Sequence, residues 1–322
     1  MLKLQNVSFA YETEPVLKNL NFQIEKGQNV SIIGESGCGK STLLKLIYGL
    51  LHTDGKITWE GQELLGPNYN LVPGEPFIKY LAQDFDLMLP ISAAENVGKH
   101  LSNLYPIKKK RRIKELLEVV EMEDEADKKA KFLSGGQQQR IALARALAKE
   151  PEILLLDEPF SHIDHFRKNN LRRRLFSYLK ERNITCFIAT HDSTDALSFA
   201  DRTFVLKNGN IYADGTPQDL YKAPPNKYTA SLFGDVNHIM FKNLNKNSSS
   251  RKRVILYPHE IKIVPNSKIE AIVRKSYFKG KSFLIEAVLN SDHILIEHHE
   301  AITPETRIKL KVAEDIVEKR LS

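Results

Sequence analysis

The stretch GESGCGKST, Gly34 to Thr42, constrains the fold more than any other part of this chain. It follows a strand-like run, QNVSIIG (28–34), and opens a helix-like one, KSTLLKLIYGLL, whose apolar positions 43, 44, 46, 47, 50 and 51 predict a buried helix. A glycine-rich turn between a buried strand and a helix N-terminus is a phosphate cradle. Gly34, Gly37 and Gly39 let backbone N–H groups curl round an anion, and the helix end adds partial positive charge. Lys40 supplies charge to the outer phosphates, and the Ser41 hydroxyl can ligate Mg²⁺. Glu35, Ser36 and Cys38 fill the variable positions, Cys38 in a backbone role, and Thr42 closes the motif.

A second run, EILLLDEP (152–159), places Asp157 at the end of an apolar strand, where open α/β sheets bind ligands. Asp157 is expected to hold the metal. Its neighbour Glu158 is placed to polarise an attacking water as general base. His191 ends another buried run, ITCFIATHD, at the same predicted edge; histidine at such a position is more often structural than catalytic on spacing alone. A third segment, LSGGQQQR (133–140), sets a serine and two glycines before the helix-like IALARALAKEP. Ser134 can cap that helix, which would leave the N–H groups of Gly136 and Gln137 directed at an anion. The chain thus carries a second anion cradle about a hundred residues from the first.

The phosphate loop, LAQD, LSGGQQQR, LLLDEPF, SHID and ATHD occur in the order and rough spacing found in the ATP-binding subunits of ABC transporters, and nearly all of residues 1–235 resembles them. The resemblance implies ATP and Mg²⁺ as ligands, with Ser41, Gln83 and Asp157 at the metal and Glu158, His191 and Gln83 around the γ-phosphate. It implies that Tyr11 stacks on adenine and that Asp164 couples two active sites. Ser134, Gly135, Gly136 and Gln137 would then bind the γ-phosphate held by a second copy of the chain, so that two copies close on two ATP molecules. Where the family commonly has Ser-Ala-Leu-Asp, this chain has Ser161-His162-Ile163-Asp164; the aspartate is kept, and His162 is expected at the surface.

The alternation of strand-like and helix-like runs over 1–235 predicts an α/β domain with a parallel core, an antiparallel β portion at its start and a helical insertion near 85–135. Ile113, Leu116, Leu117 and Val120 mark a helical stripe, HFRKNNLRRRLFSYLKERN reads as a helix, and FVLKNGNIYADG signals a hairpin. The polar stretch 242–253 reads as a linker, after which alternating runs predict a small, mostly antiparallel β-barrel or sandwich over 236–322. That portion resembles the TOBE-like regulatory or dimerisation domain of importer ATPases serving iron(III), polyamine, sulfate or sugar uptake, and Tyr257-Pro258-His259-Glu260 resembles the family's Arg-Pro-Glu segment in altered form.

Charge is uneven: 1–235 holds 31 basic against 30 acidic residues, and 236–322 holds 16 against 10. The runs 108–112 and 172–174 read as solvated basic faces. No apolar run approaches the ~18 residues of a membrane span, and the N-terminal residues lack the pattern of a signal peptide. With two cysteines, one inside the phosphate loop, a structural disulfide is not expected and a reducing compartment is. These features point to a cytoplasmic chain, and the resemblance implies a place on the inner face of the cell membrane, with membrane-spanning permease subunits as partners and an external solute-binding protein acting through them. The basic tail raises an alternative, an ABC-type ATPase acting on nucleic acid or ribosomes. The chain lacks the paired ATPase halves or long coiled-coil insertions of such proteins, so no nucleic acid is expected. An exporter ATPase is a further alternative, though those usually stop near residue 235.

Overall fold

The computed structural model describes residues 1–245, 250 and 252–321, without the side chain of His165. The chain divides into two compact units, Met1–Pro217 and Gln218–Ser322. Residues 218–235, assigned to the first domain by the sequence, therefore belong with the second unit.

In the first unit, β1 (Leu2–Tyr11) and β2 (Glu14–Ile24) form an antiparallel hairpin. Next come β3 (Asn29–Ile33), α1 (Lys40–Tyr48), β4 (Lys56–Trp59), β5 (Gln62–Glu63) and β6 (Ile78–Leu81). The helical insertion is α2 (Ala93–Gly98), α3 (Pro106–Val119) and α4 (Gly135–Leu147). Then follow β7 (Ile153–Asp157), α5 (His165–Glu181), β8 (Thr185–Ala189), α6 (Ser193–Phe199), β9 (Arg202–Lys207) and β10 (Asn210–Gly215).

One sheet has the order β10-β9-β3-β8-β7-β6, parallel except for the β9–β10 hairpin; the other, β2-β1-β4-β5, is antiparallel. Strands β3, β7 and β8 are buried at every position, which is why they read as continuous apolar runs. The hairpin predicted at Asn208-Gly209 is present, both residues having positive φ (49° and 79°) as a tight turn demands.

Helix α1 is shorter than the apolar pattern predicted. Gly49 adopts the left-handed conformation (φ 82°) and its N–H bonds back to Leu46 and Lys45, so the helix closes at Tyr48 and Leu50 emerges at the surface. The basic runs also depart from expectation. Arg112 donates to the carbonyls of Leu147 and Ala148 at the end of α4, and Arg172 is only 2% exposed. Both occupy the inner side of their helices, where a guanidinium persists because each finds acceptors.

Helix α7 (Pro217–Lys222) carries the division between the units. The second unit contains α8 (Lys227–Ser231), β11 (Asn237–Met240), α9 (Phe241–Leu244), β12 (Arg253–Leu256), β13 (Lys262–Ile263), β14 (Ile269–Phe278), β15 (Phe283–Leu289), β16 (Asp292–His298), β17 (Arg307–Lys311) and α10 (Glu314–Lys319). Its antiparallel sheet runs β13-β17-β14-β15-β16, beside a β11–β12 pair. The predicted linker falls partly outside the described residues; within it, α9 and the first residue of β12 are ordered elements. Buried Tyr257 stacks on Tyr221 at 4.4 Å, with the Arg320 guanidinium 5.2 Å from its ring. Arg320 in turn clasps both oxygens of Glu260 (2.6 and 2.8 Å) and donates to the Lys222 carbonyl, tying the end of α10 to the start of the unit.

Candidate active site: a phosphate cradle and its carboxylates

The cradle forms where the sequence placed it. Gly39 has φ 106°, and a Cβ there would lie 2.7 Å from Leu17, so glycine satisfies both backbone and packing. Lys40 is buried; its ammonium turns back across the loop to the carbonyls of Gly34 (2.8 Å) and Glu35 (2.9 Å). Cys38 is buried as well, and that burial pushes its thiol pKa up against the lowering pull of Lys40. It stays a protonated packing group, in keeping with a backbone role for this position. Thr42 is buried in α1, and Ser36 and Glu35 lie at the surface.

Parallel pairing of β7 with β8 (Leu156 to Ile188, Asp157 to Ala189) brings Asp157, Glu158 and His191 to one sheet end. Asp157 is 4% exposed; one carboxylate oxygen accepts from Ser41 (3.0 Å), the other from the Tyr80 hydroxyl (3.1 Å). Burial raises the Asp157 pKa, the Ser41 and Tyr80 hydrogen bonds oppose the rise, and Glu158 adds to it. The positive charge of Lys45 opposes the rise as well, but burial outweighs it. Ser41 and Asp157 offer hard oxygens of the kind Mg²⁺ takes, and no cluster of three or more His, Cys, Asp or Glu side chains suited to a metal occurs among the described residues. That donor set fits an ion that keeps water and phosphate oxygens in most of its shell.

Glu158 has φ 50°, a conformation non-glycine residues seldom adopt. It is held by hydrogen bonds from both sides: its N–H donates to Ala189 (2.9 Å), and its carbonyl accepts from Gln139 Nε2 (3.0 Å) and Ser161 Oγ (3.0 Å). Its carboxylate meets His191 Nδ1 at 3.1 Å. The loop bearing His191 is anchored beneath by Arg172, which contacts Asp192 (2.6 Å) and buried Asp195 (2.5 Å), while Thr190 donates to Asp195 (2.6 Å).

The second cradle is a capped helix start. Ser134 Oγ accepts from the Gln137 N–H (3.3 Å), and Gln137 Oε1 accepts from the Ser134 N–H (2.9 Å). The Gln137 N–H is therefore used by the cap; of the two donors expected to face an anion, only that of Gly136 is outside this box. Gly135 has open space round its Cβ position, whereas a Cβ on Gly136 would stand 2.5 Å from the His162 carbonyl oxygen. Gly136→Ala is accordingly expected to push α4 off the 162–163 backbone and to lower thermal stability by about 1–3 kcal/mol, measured by calorimetry; Gly135→Ala should leave it within about 0.5 kcal/mol.

Other predicted residues lie apart from this cluster. Gln83 is exposed on the loop leaving β6, and among the described residues no hydrogen bond joins it to Ser41 or Asp157. Tyr11, 47% exposed, stands edge-on to Phe9 (4.8 Å). Asp164 precedes α5 with its carboxylate uncommitted to a cap. His162 is at the surface as expected, yet its ring packs edge-on to Phe85 (5.5 Å), two residues beyond Gln83. Tyr80, Gln139, Arg172 and Asp195 were not singled out in the sequence. Tyr80 and Gln139 gave no distinguishing signal there, and Arg172 was hidden in a charged run.

The sequence profile described as "ABC transporter" matches residues 17–161. A spermidine/putrescine import ATP-binding protein (PotA) of Haemophilus ducreyi is 32% identical over 96% of this chain and 86% of its own length. The chain belongs to the ATP-binding subunits of ABC importers. An Fe(3+) ions import ATP-binding protein (FbpC) of Escherichia coli O157:H7 is 37% identical over 73% of this chain and 68% of its own. Among solved structures, the ATP-binding cassette MJ0796 in a dimeric post-hydrolysis state bound to ADP and Pi superposes with TM-score 0.60 at 32% identity, covering 67% of this chain and 99% of that one. As an ABC ATPase the chain binds nucleotide, hydrolyses ATP and energises transport. No helix among the described residues is long and apolar enough to cross a membrane.

Proposed function

We propose that this ABC ATPase works as one of two identical copies beneath membrane-spanning permease subunits, at the inner face of the cell membrane. It would import a small cationic solute, a polyamine or iron(III), delivered by an external solute-binding protein. The relatives' names support the solute class. The observation that carries the paired arrangement is the separation of the two cradles: among the described residues, no hydrogen bond links 134–137 to the loop 34–42. Each copy then lends Ser134, Gly135, Gly136 and Gln137 to the phosphate loop of the other, and Asp164 reaches across the seam.

Within one site, the backbone of 34–39 cradles the phosphates and Lys40 leaves its carbonyl contacts to meet their charge. Tyr11 stacks on the adenine. Ser41, Asp157 and Gln83 would hold Mg²⁺, which would supply charge neutralisation to the bound phosphates. Glu158 takes the proton of the attacking water on its carboxylate, and His191 Nδ1 holds that carboxylate in place. The first unit, Met1–Pro217, performs this chemistry, and the second unit contains a TOBE-like regulatory or dimerisation domain over 236–322.

Turnover per chain should rise with protein concentration and saturate as light scattering detects the dimer, whereas Ser134→Arg should bind ATP yet neither pair nor turn over. Full turnover by a chain that scatters as a monomer would overturn the paired site.

A further inference from the structure

Gln139 sits one turn after Gly136 on the same face of α4, and both meet the backbone turn 158–163 that follows β7. A Cβ on Gly136 would stand 2.5 Å from the His162 carbonyl oxygen and 3.5 Å from Ile163 Cα, so helix and turn pack without slack. Gln139 is 2% exposed, and its amide grips the turn at two points. Its Oε1 accepts from the His162 N–H (3.2 Å), while Nε2 donates to the Glu158 carbonyl (3.0 Å) and lies 3.4 Å from Ser161 Oγ. We infer that Gln139 is a positioning residue for hydrolysis, a buried clamp by which α4 fixes where the Glu158 carboxylate stands.

The remaining hydrogen bonds of the turn do different work. The Ser161 N–H and Oγ both donate to the Glu158 carbonyl (3.2 and 3.0 Å), and Ser161 Oγ also meets His162 Nδ1 (3.0 Å). These bonds lie within the turn and set its shape. The Glu158 N–H, donating to Ala189, ties the start of the turn to β8. Among the described residues, only the Gln139 amide hydrogen-bonds the turn to α4. It therefore sets the turn's place and not its shape.

Place matters here for two reasons. The φ of 50° at Glu158 is unfavourable for a residue with a side chain, and it persists only where the surroundings over-determine it. A general base also has to stand at hydrogen-bond reach of its water, and a misplacement of about 1 Å can cost about 10²-fold in rate. Because Gln139 is buried, water does not replace its bonds when the amide is removed; the His162 N–H is left unpaired unless the turn moves. Helix α4 starts at Ser134, so one rigid element carries the second cradle and, little more than a turn later, the support of the base. The inference rests on the reading of Glu158 as that base.

The test is a double-mutant cycle on the full chain, read by steady-state and single-turnover ATP hydrolysis. Gln139→Met keeps side-chain length but has no amide; it should lower kcat about 10–100-fold and leave KM for ATP within about twofold. In a Glu158→Gln background the same change should cost less than about twofold more, because residues that act as one unit are not additive. A merely structural lesion would lower both backgrounds equally. Should Gln139→Met not fold, Gln139→Asn, whose amide is one methylene too short to reach both partners, has to give the same pattern. Turnover within about threefold of the parent, a loss carried by KM, or an equal loss in both backgrounds overturns the positioning role while Glu158→Gln stays impaired. Full turnover in Glu158→Gln is a different failure: it removes the base, and this inference with it.

Discussion

Glu158→Gln is expected to cut ATP turnover by about 10²–10⁴-fold while ATP remains bound. The substitution keeps shape and the contact with His191 Nδ1, 3.1 Å away, but removes the group that accepts a proton from water. The positive φ of 50° and the bonds from Gln139, Ser161 and to Ala189 belong to the backbone, so the loop should keep its form. The variant should therefore accumulate as an ATP-bound dimer, seen as a doubled mass in light scattering with nucleotide and a single mass without it. Turnover within about threefold of the parent would remove Glu158 from the role of base.

Arg172→Met should be the most destabilising of the substitutions considered. The guanidinium and Asp195 are both buried, 2.5 Å apart, and Arg172 also holds Asp192 at 2.6 Å. Removing the cation leaves a buried carboxylate with, among the described residues, only the Thr190 side chain as donor, a loss on the order of 3–5 kcal/mol. The unfolding midpoint in urea reads this directly. Adding Asp195→Asn to Arg172→Met should recover part of the loss, because the stranded charge is then gone. An unchanged midpoint in the single variant would mean that the cluster contributes nothing to the fold. Because Asp192 directly follows His191 and Asp195 lies in the first turn of the next helix, the surviving folded fraction should also turn over more slowly.

Much of the site was legible in the residues. GESGCGKST, LLLDEP and ATHD each place their chemistry at a strand end, and parallel pairing of neighbouring strands collects those ends. Ser134 caps its helix as expected, since a cap depends on residues within one turn. The use of the Gln137 N–H was misjudged because a capping box consumes a donor that a bare helix end would leave free. Arg172 was misread for a different reason: composition marks a run of three arginines as surface, and only the rotation of α5 decides which one turns inward. The end of α1 was overrun because apolar periodicity continues past Gly49, where the backbone turns left-handed.

The sequence by itself determined the local devices: a loop that wraps phosphate, carboxylates at the end of a buried strand, a capped helix start, and a β-rich second unit. These depend on covalent spacing and backbone preference over a few residues. Only the tertiary structure decided that Tyr80 holds Asp157, that Gln139 holds Glu158, and that Arg172 holds the loop of His191. Such meetings are set by strand order, register and helix rotation, which arise from packing the whole core at once.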